Sequence, residues 1–409
     1  MTANTEPPQP PRRDPLLLAW GVTLLVLLGA TWPLWTPREL PPRLPAFGVE
    51  SPPPLEAAAL AVIAGALLAA LLEGKRWGVG FATAALAALM LGDQLRWQPW
   101  AYHALITGAV LWSADRATAR GALRAVAIAV YGWSALAKLD AEFAATLGSQ
   151  LVGVVLPGAG PDMRFALAWL LPAFELAVAV LLAASVWRRG WSPWACGAAV
   201  ALHAATVLML SPIGLGHGAG VLLWNAGFAL QVVILFRPDR AADPRRPVWR
   251  WPLLTLAATA LAVAAPALTP LGRWDAWPGW ALYAPRLERA TLFVRDSAVD
   301  RLPATLRRHV GPMVESGVWR PVDLGQWMLE ETHAPIYPSN RVAAAMAAEL
   351  VDSRPLGDGL AVLIEAPAGL LTRERKSRWV DSPEGFRAAA RWFNRASTGA
   401  AAERLPPPN

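Results

Sequence analysis

Lysine is scarce in this chain, occurring only at positions 75, 138 and 376 against thirty-four arginines. Lys138 lies in Tyr-Gly-Trp-Ser-Ala-Leu-Ala-Lys-Leu-Asp, residues 131 to 140, where an apolar run ends. Arginine stays charged under ordinary conditions, whereas a lysine can be neutralised by burial and then accept a proton. Other polar groups interrupt apolar runs in the same way. Glu175 stands in LLPAFELAVAVLL, His203 in AVALHAATVLML, His103 in QPWAYHALITG and Asp93 in LMLGDQLRWQPW. Asn225 and Gln231 share a further run. An ionisable side chain among lipid-facing helices is costly, so each such residue is a functional candidate by default. The chemistry they suggest is proton transfer in apolar surroundings.

Each also has a structural reading. Lys138 can snorkel from a helix end. Glu175 can be a protonated interhelical donor, and Asn225 and Gln231 can tie helices together. His203 can be a packing residue, and His103 and Asp93 can be interfacial.

The elements that must hold these residues are apolar helices. Apolar residues make up 55% of the 409-residue chain and charged ones 16%, and several runs approach the roughly 20 residues needed to cross a bilayer. Backbone groups in lipid must be satisfied within the segment, so the runs read as helices. Nine spans are expected: Leu16–Trp35, Ala57–Leu72, Trp77–Leu91, Ala101–Ala114, Leu123–Ala137, Phe165–Val186, Trp191–Leu210, Gly220–Phe236 and Trp251–Leu271. The first lacks a small-x-small cleavage site and reads as an uncleaved helix rather than a signal peptide.

Loop charge orients the bundle. With residues 1–15 as a disordered cytoplasmic tail, the cytoplasmic segments carry Arg12 and Arg13, Lys75 and Arg76, Arg116, Arg120 and Arg124, Arg188 and Arg189, and five arginines between 237 and 250. The first four outer loops carry Arg38, Arg43, Arg96, Lys138 and Arg164. This bias follows the positive-inside rule and places the C-terminal region outside. It also explains the net charge of +7 by topology, so nucleic acid is not an expected partner. Asp93, His103 and Lys138 then share the outer end, with His203 in the outer half of its span and Glu175 near mid-depth. Turned inward, they would enclose one polar cavity. Polar groups gathered towards one side do not suit a transporter, which needs them through the full depth.

Residues 273–400 change in composition. Strand-like ATLFV and GLAVLIEA alternate with helical SNRVAAAMAAELV and SPEGFRAAARWFN, so a small extracytoplasmic α+β domain is expected. A disordered Pro-rich tail, 401–409, follows. The tryptophans of RWDAWPGWALY suit the membrane–water boundary. The lone Cys196 excludes an intramolecular disulfide. No His-x-x-x-His or Glu-x-x-His spacing falls on a span, so no metal is expected. No phosphate-binding glycine loop and no G-x-S-x-G motif occurs.

The Tyr131-to-Asp140 stretch resembles the signature of the vitamin K-dependent γ-carboxylase-like membrane proteins, including the bacterial HTTM domains, with DoxX-like proteins more distantly similar. The order of later features is similar as well: Glu175 on the next span, then His203, with His103 upstream of the lysine. The resemblance covers roughly residues 77 to 240. It implies an all-α polytopic bundle in the bacterial inner (plasma) membrane, with an active site on the outer side. It implies Lys138 as the base that activates a reduced naphthoquinone, and His103 as a partner orienting quinone or lysine. Glu175, His203, Asp93 and Tyr131 would contact the lipophilic substrate. Residue 137 is alanine where animal carboxylases have a second lysine, and the C-terminal region is much smaller. Quinol-dependent chemistry survives these departures better than carboxylation of a peptide. The alternative is a non-enzymatic protein that binds lipid or quinone, or that holds an extracytoplasmic protein partner through residues 273–409.

Overall fold

A computed structural model describes residues 14–46, 51–237, 250–314 and 317–390. The expected tails and most of the RPDRAADPRRPVWR loop lie outside the described residues.

The chain is mostly helical, with a small C-terminal sheet. The helical part comprises α1 Pro15–Ala30, α2 Trp32–Trp35, α3 Pro53–Glu73, α4 Arg76–Gly92, α5 Pro99–Ser113, α6 Arg116–Leu136, α7 Ala141–Phe143, α8 Ser149–Val155, α9 Pro161–Ala168, α10 Leu170–Trp187, α11 Ser192–Leu210, α12 Ala219–Phe236 and α13 Leu253–Val263. Local chemistry sets several boundaries. Asp14 and Asp115 cap α1 and α6 through their side chains, and Gly74 ends α3 with a positive φ of 69°. Proline opens α5, α9 and α11 at positions where no helical N–H bond is lost.

Five segments are long and apolar enough to cross a membrane: Pro53–Glu73, Pro161–Trp187, Arg189–Leu210, Ala219–Phe236 and Leu253–Leu271. A sixth is added if Arg116–Leu136 and Ala141–Val155, bent by 74°, count as one. Length and composition therefore give five or six spans among the described residues, against the nine expected. Helices α1 and α4 are apolar but shorter. The expected span Ala101–Ala114 falls on α5, where most residues are buried. A helix wrapped by its neighbours meets little lipid and need not match the bilayer's thickness.

One end of the bundle is rich in arginine. Arg76 caps the C-terminal carbonyls of α5 at Leu111, Trp112 and Ala114. Arg116 pairs with Asp14 at 3.0 Å, and Arg120 and Arg124 reach the carbonyls of Ile234 and Leu235 at the end of α12. The opposite end carries the C-terminal domain. Its sheet, β2-β1-β3-β4, is antiparallel throughout and built from β1 Arg289–Arg295, β2 Trp319–Val322, β3 Leu360–Glu365 and β4 Ser377–Val380. Leu292 pairs with both Val322 and Val362, and Val362 with Val380. That register places one apolar row on the face covered by the helix Asn340–Ser353.

The domain is fixed to the bundle by buried polar contacts. Arg341 binds Asp275 through both guanidinium nitrogens and donates to Gln94 at 2.8 Å, while Gln98 donates to the Pro335 carbonyl at 2.9 Å. Tyr337 donates to Asp275 at 2.6 Å. Burial, together with the Asp275 carboxylate beside it, holds the Tyr337 phenol well above its ordinary range.

Candidate functional site

Helix α6 places Tyr131, Ser134 and Lys138 along one side, at spacings of three and four residues. The helix ends at Leu136, and Lys138 sits in the turn beyond it. Asp140 then caps the next short helix by accepting the Phe143 N–H at 2.8 Å. A wide π-type turn, Ala144–Gly148, leads into α8. Gly148 is required there, because a Cβ would lie 2.8 Å from both the Ala168 methyl and the Phe143 carbonyl.

The Lys138 side chain points back along α6. Its Nζ donates to Ser134 Oγ at 2.8 Å and meets Glu175 Oε2 at 2.6 Å. Both side chains are largely but not wholly covered, at 11% and 13% exposure. Beside them, Tyr131 Oη lies 2.7 Å from His203 Nε2, and His203 Nδ1 lies 2.8 Å from Asn225 Oδ1. Glu175 is within electrostatic reach of both Tyr131 and His203.

These groups face one open cavity of about 150 Å³. Its walls are apolar and aromatic. Tyr131 stacks on Phe228 with centroids 5.4 Å apart, and Trp224 stacks on the same ring at 6.2 Å. Leu151, Leu171 and Phe174 close one side. Leu282 and Tyr283, from the linker into the C-terminal domain, close another. An apolar cavity of this size accommodates a ring about as large as benzene.

The structure thus brings together Lys138, Glu175, His203 and Tyr131. His103 does not line the cavity. It is buried behind the wall, 4.9 Å from Phe228 and 6.4 Å from Trp224, centroid to centroid. Asp93 is elsewhere altogether. It pairs with Arg38 and accepts the N–H groups of Leu44 and Leu95 at 3.2 and 3.1 Å. The expectation that all these residues enclose one cavity is corrected on both counts. Shared depth does not fix which way a helix turns its side chains. Gln231 stands with Thr107 at 3.4 Å, also apart from the cavity lining.

Sequence reading missed the network that holds Asp93. Glu56 accepts from Arg96 at 2.9 and 3.1 Å and from Arg43 at 3.3 Å, all beneath the C-terminal end of α4. It also missed the linker wall. The arginines that grip the turn after Lys138 were equally unmarked. Glu142 pairs with Arg373 at 2.9 Å and with Arg375 at 3.7 Å, and the Leu370 carbonyl accepts the Ala141 N–H. The available signal was the run Arg-Glu-Arg-Lys, 373 to 376, in a domain otherwise mixed in charge. Among the described residues no three His, Cys, Asp or Glu side chains gather into a metal site.

No protein family, curated protein or solved structure matches the chain.

Proposed function

We propose that this chain is an integral membrane protein of the bacterial inner membrane whose cavity binds a quinol-like lipophilic molecule, with Lys138 as the group that takes its proton. The observation carrying this reading is the Lys138–Glu175 pair facing an open, aromatic-walled cavity. Two ionisable groups are held there at the end of an apolar helix, with room for a ring beside them.

The topology is proposed as nine transits with the C-terminal domain outside. Support comes from the arginine-rich end, where α1, α4, α6, α11 and α13 begin and α3, α5, α10 and α12 finish. The cavity lies towards the opposite end, under the domain.

The pair can work without building net charge in a poorly solvated site. Moving the Lys138 proton to Glu175 leaves an amine beside a carboxylic acid. The amine lone pair then takes a hydroxyl proton from the ligand, and the new ammonium faces the oxyanion it has made. A reduced naphthoquinone would fit the donor set, with Lys138 and Glu175 to meet a hydroxyl and the aromatic wall to offer a stacking surface. Such a group would supply reactivity towards oxygen once deprotonated. His103 would act through Phe228 and Trp224, as support for that wall.

A second reading is favoured by the 2.6 Å Lys138–Glu175 contact. A Lys138–Glu175 ion pair that keeps its proton in place would anchor a bound lipid or quinone, or stabilise a scaffold, without chemistry. Oxygen uptake by purified protein, after addition of a reduced naphthoquinone, separates the two. Uptake in wild type and none in Lys138→Ala is expected. Quinol binding without uptake in the folded wild type would leave the binding reading alone.

A further inference from the structure

The hydrogen-bond chain in the cavity lining has a direction. Asn225 Nδ2 donates to the Val221 carbonyl at 2.9 Å, so Oδ1 is the atom turned to His203. An amide oxygen only accepts. His203 Nδ1, 2.8 Å away, therefore carries the ring's hydrogen. In the neutral imidazole Nε2 is then bare, and it accepts from Tyr131 Oη at 2.7 Å. Tyr131 has a single hydroxyl hydrogen, and the bond to His203 takes it, so none is left for the ligand space. What its oxygen offers there is a lone pair. Lys138, about two helical turns along the same side, takes the proton of the ligand's other hydroxyl in the reading above, so the two residues together call for two hydroxyls.

We propose that Tyr131 recognises a second hydroxyl on the ligand by accepting its hydrogen bond, and that Asn225 is the positioning residue that sets this polarity through His203. The inference rests on the functional reading above and narrows it. The site selects a lipophilic diol over its mono-methyl ether, because the ether leaves the Tyr131 lone pair without a donor. Stacking on Phe228 holds the phenol ring, so the oxygen has little freedom to seek another partner. Neither Asn225 nor His203 need touch a reacting atom for this.

The test uses two probes, naphthalene-1,4-diol and 4-methoxy-1-naphthol, titrated under reducing conditions against detergent-purified full-length protein by tryptophan quenching. Wild type is expected to prefer the diol by roughly 10- to 100-fold. Asn225→Leu is expected to lose that preference, because the imidazole can then reverse its tautomer and Tyr131 can turn its hydrogen outward. Asn225→Asp keeps an acceptor at Nδ1 and should keep the preference. In parallel, 15N spectra of histidine-labelled protein, with His203 assigned by its loss in His203→Gln, report the tautomer without any ligand. Nδ1–H in wild type, lost in Asn225→Leu, is expected. Equal binding of diol and ether by wild type overturns the inference and leaves the quinol reading standing. Failure of both probes to bind folded wild type removes the quinol reading instead. An Nε2–H tautomer in wild type overturns the inference whatever the probes do.

Discussion

Two groups of buried charge lie under the C-terminal domain, and they are built on opposite lines. Around Glu56 and Asp93, almost every polar atom has a partner. Arg96 alone donates to Glu56 and to the carbonyls of Leu34, Leu89 and Trp35, and its side chain is fully buried. Around Lys138 the same count is short. Its ammonium meets Ser134 and Glu175, and the cavity lies beside it. The first group uses arginine, which keeps its charge and forks to several acceptors. The second uses one of three lysines, a point charge able to lose its proton. A saturated network locks helices, whereas an unsaturated one beside open space has capacity left for a ligand. Burial and charge alone would not have distinguished them.

Breaking each group measures the contrast. The largest effect is expected for Arg96→Ala, which leaves Glu56 with Arg43 alone and takes a donor from the carbonyls of Leu34, Leu89 and Trp35. It should cost about 3–5 kcal/mol and show as loss of monodisperse protein and a lowered midpoint in detergent thermal unfolding. Pairing Arg96→Met with Glu56→Gln should not restore stability, because the carbonyls of Leu89 and Trp35 still lose the Arg96 donor. At the cavity the outcome reverses. Lys138→Met with Glu175→Gln should lie within about 1 kcal/mol of wild type while abolishing quinol-dependent oxygen uptake. A loss as large as that of Arg96→Ala would show the Lys138 pair to be structural. Tyr131→Phe is smaller, about 0.5–1.5 kcal/mol, measurable by chemical unfolding. Arg373→Ala, removing an exposed partner of Glu142, should cost about 0.2–1 kcal/mol.

The smallest effect concerns His217, in the loop between α11 and α12. Burial holds its imidazole below the ordinary value. As pH falls below about 6.5, the unfolded chain therefore binds a proton that the folded chain refuses, and stability declines. Above that pH this contribution is intact. His217→Gln should flatten this part of the thermal-midpoint profile between pH 7 and 5. An unchanged slope would assign it to other groups.

Much of the cavity was legible in the sequence because its polar residues are rare within apolar runs. Lys138, Glu175 and His203 could be marked from that alone, whereas Tyr131 was marked only by the resemblance of its stretch to a known signature. Loop charge even indicated a common level for Lys138, Asp93 and His103. It carried no information on azimuth, and azimuth separates Asp93 in its ion network from His103 behind the wall. The break after Lys138 was equally hidden. The 74° bend falls between Leu136 and Ala141, where Asp140 as a cap is the one local signal and its angle is not encoded. Just past it, Glu142 is paired with arginines more than 200 residues away. Strands β1 and β3 were easier to see, as short apolar runs, whereas β2 and β4 are too short and polar to stand out. Helix number was harder, since a short helix enclosed by others resembles neither a full span nor a soluble one.

The attachment of the C-terminal domain has a consequence for how such a chain can change over generations. Leu282 and Tyr283 form part of the cavity wall, and Arg373, Arg375 and the Leu370 carbonyl hold the turn that presents Lys138. The sheet is thus not an interchangeable module. Recombination that replaced it would also remove a wall of the cavity and the grip on its lysine. Drift at Glu142 would have to be answered by drift at 373 and 375. The two halves are bound to a common history, and paired substitutions across that seam are where it should be recorded.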